Sequence, residues 1–448
     1  MKLTILDHLQ FENPTVEQKN ALLAMSAFVD EKDNNDFLIL CGAAGTGKSS
    51  ITTALIGYLN AKEIDYNISA PTARASRLLG RKANVLSNTI HSLIFNNETS
   101  KDTGEVKFTP KDNMDDAYQI YIIDEASMIS SKVVRDNESL FKCDVSVLST
   151  LISYVKQGNP KNKIIILGDT YQLAPIHEEV SCALDKNYLE SHFNLKGNIF
   201  YLTEVKRQAD GSFVLREASK TRMAIENNLK QCQVDAFKFY TIGIAAKSYV
   251  KDYMANPKDT CISIAPSHNG NILFNKIVRN TLFGEHSRKI EKGDWMMITQ
   301  KWSRNGAELF SGDHVEVMEV NMDCTEVVGG LHFCPIKLKA KALDGTEQEI
   351  EDYLLIETID HPTGCLSPDF ERALRGERMR KNNQYRESGF ASDDRYCGAI
   401  RMTYGHSITC NKAQGGEWSK VYVGTMGMRS LKYQYTAITR AVDTLVLY

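Results

Sequence analysis

The run Gly42-Ala43-Ala44-Gly45-Thr46-Gly47-Lys48-Ser49 sets glycines, a lysine and a hydroxyl at the spacing of a phosphate-binding P-loop. Such glycines let successive backbone N–H groups curl around phosphate oxygens, and a helix starting at the loop's end adds positive potential. Lys48 is placed to reach the β- and γ-phosphates of a nucleoside triphosphate, and Ser49 to ligate Mg²⁺. Downstream, Asp124 and Glu125 follow the apolar run 120–123. Two carboxylates at the C-terminal end of a strand suit Asp124 to hold hydrated Mg²⁺ and Glu125 to orient and deprotonate the attacking water. An Asp-Glu pair alone means little. After a P-loop it points to hydrolysis of the triphosphate rather than transfer to a small molecule.

Three further residue types fit the same chemistry. Gln172, in Gly168-Asp169-Thr170-Tyr171-Gln172-Leu173-Ala174-Pro175, could sense a γ-phosphate; read alone, the stretch is a polar turn punctuated by Gly and Pro. The order of the three motifs favours the sensor. Arg207 and Arg440 each offer a guanidinium that could stabilise transition-state charge on the terminal phosphate, an effect worth ~10³–10⁵ in rate. A surface salt bridge, worth about 0–1 kcal/mol, is the bland alternative. Gln18 carries an amide that could read the donor and acceptor of an adenine edge.

These groups need a scaffold. The short apolar runs 37–40, 68–70, 120–123, 164–167, 262–265, 421–423 and 445–447 alternate with helix-compatible stretches, the pattern of an α/β fold with a mostly parallel sheet. The region 293–399 differs, alternating apolar residues and turn signals as in a small β-barrel. Within it, 367–395 is dense in both charge signs and reads as a solvated helical arm. The polar stretch 96–113 suits a projecting β-hairpin. With 448 residues and 42% apolar side chains, about three domains with ordinary cores are expected. The 53 basic and 56 acidic residues give a net charge of −3, so any polynucleotide site must be a local groove. Ten scattered cysteines with no Cys-x-x-Cys favour a reducing cytoplasm over a zinc ribbon. No signal pattern and no long apolar run is present, so no membrane partner is expected.

Taken in order, the motifs resemble those of the superfamily 1 helicases, in the RecD-like B branch and nearest its Dda-like phage members. Gln18, 42–49, Ala70-Pro71-Thr72-Ala73-Arg74-Ala75, Thr89-Ile90-His91-Ser92, 124–127, 168–175, Glu204-Val205-Lys206-Arg207, Thr409-Cys410-Asn411-Lys412-Ala413-Gln414-Gly415-Gly416-Glu417 and 435–441 carry the resemblance. It implies two RecA-like P-loop domains, 1–200 and 201–300 with 396–448, a β-hairpin pin at 92–114, and an SH3-like barrel with its arm at 301–395. It implies Mg²⁺-ATP in the cleft, held by Gln18, Gly42, Ala43, Ala44, Gly45, Thr46, Gly47, Lys48 and Ser49, with Gln414, Gly415 and Glu417 facing it. Pro71, Thr72 and His91 would contact single-stranded DNA on the first core, and Thr409 and Asn411 on the second. Phe108 would stack on DNA from the pin. The family's fifth motif usually reads Thr-x-His-Lys-x-Gln-Gly; here Asn411 stands at the His position, which keeps a donor and loses the ring.

The implied activity is an ATP-dependent 5′-to-3′ DNA helicase acting on single strands and forked or tailed duplexes in replication, recombination or repair. The implied setting is a monomer in a bacterial or phage-infected cytoplasm, with a single-strand-binding protein or replisome component as partner. The alternatives are a 3′-to-5′ or RNA translocase, or a non-unwinding ATPase switch.

Overall fold

The computed structural model describes residues 4–99, 106–133, 141–205, 212–342, 345–428 and 430–448. A first sheet of six strands runs in the order Asn88–Thr89, Tyr66–Ala70, Ile120–Ile123, Lys163–Gly168, Phe37–Gly42, Gly197–Leu202, with every neighbouring pair parallel. Its central strands are apolar throughout because both faces are covered. Leu38 and Leu40 pack to one side with Leu22, Met25 and Leu55; Phe37, Ile39 and Cys41 pack to the other with Tyr121, Leu151 and Leu184.

A second, five-stranded sheet is parallel as well, in the order Phe237–Lys238, Ala441–Leu447, Trp418–Val423, Cys261–Ala265, Ser407–Thr409. Both sheets direct their strands' C-terminal ends, where loops collect ligands in such folds, toward loops that carry the motifs. Between the segments of the second lobe lies an antiparallel unit with its own core of Met296, Val315, Leu338, Leu354 and Met402. It is wider than 301–395: Trp295–Ile298 pairs with both His314–Val320 and Met402–Tyr404, so strands from each flank belong to it.

The expected hairpin forms, as part of a three-stranded sheet in which Val106–Pro110 also pairs with Phe141–Lys142. Phe95–Thr99 runs antiparallel to Val106–Pro110, with Asn97 opposite Phe108. The charged arm corrects the expectation of a solvated helix. In Pro368–Lys381, Leu374 and Met379 pack with Tyr385 against Leu331, Phe333 and Leu355. Glu371 and Arg375 are buried beside them, and Arg401 pairs with Glu371 at 2.8 Å. Only the outer face is solvated. Among the described residues no helix is long and apolar enough to cross a membrane.

Candidate nucleotide cleft and nucleic-acid face

The P-loop joins the buried Phe37–Gly42 strand to the Lys48–Ala61 helix. Gly45 and Gly47 have φ of +79° and +87°, a region that L side chains rarely adopt. At Gly47 a Cβ would also stand 2.7 Å from Gln18 Nε2. Gln18 is 0% exposed, and both ends of its amide have partners: Oε1 accepts from Thr15 N at 3.0 Å and Nε2 donates to Thr46 O at 2.8 Å. In this arrangement Gln18 braces the loop from behind. Lys48 Nζ donates to Gly42 O, and to Ala43 O at 3.2 Å. Ser49 lies half-buried in the first turn of the helix.

Asp124 N donates to Ser69 O at 3.0 Å, and Asp124 Oδ1 accepts from Glu125 N at 2.9 Å. Glu125 adopts φ +49°, ψ +36°, a strained backbone for a residue other than glycine. Burial pushes both carboxyls upward, and the Asp124 charge adds to the push on Glu125. Lys48 opposes both shifts, and Arg440 opposes that of Glu125. Lys48 thus acts on both carboxyls, and Arg440 reaches Glu125 electrostatically from the second lobe. The carboxyls remain short of positive charge, the condition a phosphate-bound Mg²⁺ relieves. Ser49 offers a hydroxyl and Asp124 a carboxylate, oxygen donors of the kind a hard cation takes when it keeps several waters.

The loop after Lys163–Gly168 joins the lobes. Asp169 Oδ2 accepts from the Tyr435 hydroxyl at 2.8 Å, and that hydroxyl accepts from Ala44 N at 2.9 Å. Leu173 N donates to Thr436 Oγ1 at 2.9 Å, and Leu173 O accepts from Gln414 Nε2 at 3.1 Å. Gln414 thus spends its amide on the first lobe. Gly415, with φ +72°, lies against the Ala73–Ala83 helix, where a Cβ would stand 2.8 Å from Ala75 Cβ. Glu417 is exposed at the rim, 3.6 Å from Lys82. Gln172 is 4% exposed, and its Oε1 has no partner among the described residues, an acceptor held dry.

Arg440 is buried, so it is no surface salt bridge. Its bonds go to neutral acceptors: Thr436 O at 3.1 Å, Gly416 O at 3.2 Å and Thr439 Oγ1 at 3.2 Å. Arg74 stacks over the Trp418 ring at 4.1 Å, its pKa pushed down to about 10 by burial and by the neighbouring Arg440. Arg207 lies outside the described residues.

The residues expected to meet nucleic acid lie on both lobes at strand C-terminal ends. Pro71 and Thr72 follow Tyr66–Ala70, and Thr72 Oγ1 caps the next helix by accepting from Ala75 N at 3.2 Å. His91 is exposed, with its ring 5.7 Å from Phe95 and 6.2 Å from Phe108. Phe108 is half-buried in this trio, 6.0 Å from Phe95 and midway along the hairpin ladder. On the second lobe Thr409 Oγ1 caps the Cys410–Ala413 turn, and Asn411 is exposed. A cavity of about 430 Å³ opens beside Thr409, lined by His268, Asn275, Lys276 and Lys412 among others. Sequence reasoning passed over these four, and over Tyr435, although Tyr435 sits inside the motif that drew attention to Arg440.

A family model described as an AAA domain matches residues 15–223, and one described as a UvrD-like helicase C-terminal domain matches residues 404–448. The ATP-dependent RecD2 DNA helicase of Deinococcus radiodurans is 24% identical over 163 residues, 36% of this chain and 19% of that protein. The ATP-dependent DNA helicase Pif1 of Psychrobacter sp. is 23% identical over 410 residues, 85% of this chain and 55% of that protein. The chain thus spans about half or less of the length of these curated relatives. In fold it is similar to the crystal structure of Pif1 helicase from Candida albicans, with a TM-score of 0.50 and 15% identity over 98% of this chain and 94% of that one. The two domain models in this order and relatives of both RecD and Pif1 kind make the chain similar to the RecD/Pif1-like B branch of the superfamily 1 helicases, and its parallel-sheet lobes share the Pif1 fold.

Proposed function

We propose that this chain is an ATP-dependent DNA helicase that moves 5′-to-3′ along single-stranded DNA and opens forked or tailed duplexes, as a Dda-like member of its branch. The observation that carries the reading is the meeting of the P-loop and the Asp169 loop of the first lobe with Tyr435, on the second-lobe helix that leads to Arg440. Two relatives bear the name ATP-dependent DNA helicase, which supports the same reading.

When bound, Mg²⁺-ATP supplies the phosphoanhydride whose hydrolysis drives the cycle. Lys48 and the P-loop N–H groups would bind its phosphates, with Ser49 and Asp124 holding Mg²⁺. Glu125, its carboxyl raised by burial, suits a base that takes a proton from water. Arg440, joined by Arg207, would stabilise charge on the terminal phosphate, and Gln172 would sense it. Because Arg440 belongs to the second lobe, lobe closure and catalysis become one event.

Pro71, Thr72 and His91 would grip the strand on one lobe, and Thr409 and Asn411 on the other. Melting one base-pair step costs about 1.4 kcal/mol, and stacking a base on an aromatic returns ~1–3 kcal/mol. Phe108 could therefore offset most of one step. Replication, recombination or repair is the proposed setting, with the chain acting as a monomer in the cytoplasm beside a single-strand-binding protein or replisome component.

The test is ATP turnover with and without single-stranded DNA, followed by strand displacement on 5′- and 3′-tailed duplexes. Stimulation by DNA and displacement only from a 5′ tail are expected. Displacement from a 3′ tail, stimulation by RNA alone, or turnover without strand displacement would replace this reading with one of the alternatives.

A further inference from the structure

The Ala44 N–H belongs to the loop that cradles phosphate, yet it donates to a side chain of the other lobe. Tyr435 Oη accepts that bond at 2.9 Å and donates its own proton to Asp169 Oδ2 at 2.8 Å. Tyr435 and Asp169 are each 1% exposed, so water is a poor substitute for either bond. The contact joins residues far apart in the chain. Tyr435 lies in the Leu431–Ile438 helix of the second lobe, which runs directly into Arg440.

We propose that the Tyr435 hydroxyl mimics a phosphate oxygen on the P-loop, so that nucleotide and the second lobe compete for the Ala44 N–H. The inference rests on the reading of 42–49 as a nucleotide phosphate site. When a phosphate takes the N–H, Tyr435 keeps only Asp169. The loop carrying Asp169 is then coupled to nucleotide occupancy through one hydroxyl. Asp169 Oδ1 also accepts from Tyr171 N at 3.0 Å, and the Tyr171 hydroxyl donates to Glu226 at 2.5 Å. The Tyr171 ring meets the Tyr435 ring edge-on at 6.0 Å. Loss of the Ala44 bond therefore reaches the Phe213–Glu226 helix, whose Leu215 would lie 3.1 Å from a Cβ at Gly45. Tyr435 is a positioning residue in this scheme. Burial raises its phenol well above the ordinary value, which keeps it a proton donor to Asp169.

Equilibrium binding of a non-hydrolysable ATP analogue with Mg²⁺ to the full chain, measured by calorimetry without DNA, decides the matter. Tyr435→Phe removes the competitor and should tighten binding about three- to tenfold, the range of one net hydrogen bond. A merely structural loss would weaken it. Thr436→Val, which cuts the neighbouring bond to Leu173 and leaves the P-loop alone, should not tighten binding. If it tightens as much as Tyr435→Phe, general loosening of the lobes explains the effect and the competition is overturned. Unchanged or weaker binding by Tyr435→Phe, with binding lost in Lys48→Ala, also overturns the competition while leaving the phosphate site intact. Full binding by Lys48→Ala sinks the phosphate-site reading itself. Should Tyr435→Phe fail to fold, Asp169→Asn weakens the anchor of the hydroxyl. It should give a smaller tightening, and no tightening there overturns the proposal.

Discussion

Glu125 combines a strained backbone with a carboxyl that burial and Asp124 push above its usual range. A group whose folded pKa is raised is most stabilising to the fold when protonated, below its unfolded value near 4.3. That stability is lost as pH rises through the raised folded value. Glu125→Gln removes the charge and should raise Tm at pH 7–8, with the gain shrinking toward pH 4; a lower Tm at neutral pH would contradict the burial argument. The same variant should bind nucleotide and lose turnover, while wild-type kcat falls on the acid side as the raised carboxyl takes its proton. Arg440→Ala should cut kcat by ~10³ or more and change nucleotide affinity far less. The reverse split, read from steady-state kinetics and direct binding, would make Arg440 a binding residue. Single letters disclosed chemistry better than contacts. Lys48, Asp124 and Glu125 stand out in the sequence because their motifs are local. The bonds of Gln18 to Thr15 and to the distant Thr46 are not visible there, because the second joins residues 28 positions apart.

The strands were largely legible, since a parallel strand covered on both faces is a plain apolar run. The hairpin was legible from its polar flanks and turn. The arm misled because Glu371 and Arg375 hold buried places beside Leu374 and Met379, so its apolar period is masked by charges that pair only in the fold. The antiparallel unit outgrew 301–395 because Trp295–Ile298 and Met402–Tyr404 meet only through pairing across a long chain separation. At this scale Phe108 poses the sharpest question, being both a hairpin aromatic and a neighbour of Phe95 and His91. Phe108→Ala should lower unwinding about tenfold, in line with one lost base stack, and leave single-strand-stimulated ATPase within about twofold. Equal loss in both assays together with a lower Tm would assign Phe108 to packing against Phe95 and His91.

Across the whole molecule, the two lobes touch through polar links and through packing of Tyr171 and Leu173 against the core of the second. The Ala73–Ala83 helix reaches the antiparallel unit through Arg77 Nη1 to Asp313 Oδ2 at 2.9 Å and Arg81 Nη2 to Ala342 O at 3.2 Å. Arg77→Leu should reduce base pairs opened per ATP hydrolysed by about half or more, with single-strand affinity little changed; an unaltered ratio would show that this link does not transmit force. The links were invisible in the sequence because each joins segments hundreds of residues apart, and Ala44 to Tyr435 spans 391 positions. Gly415 sets a mechanical limit on the same interface. With no side chain and φ +72°, its backbone comes to rest on Ala75. One methyl group there would act as a doorstop and hold the two halves ajar, so how closely they can approach is fixed by an atom the sequence leaves out.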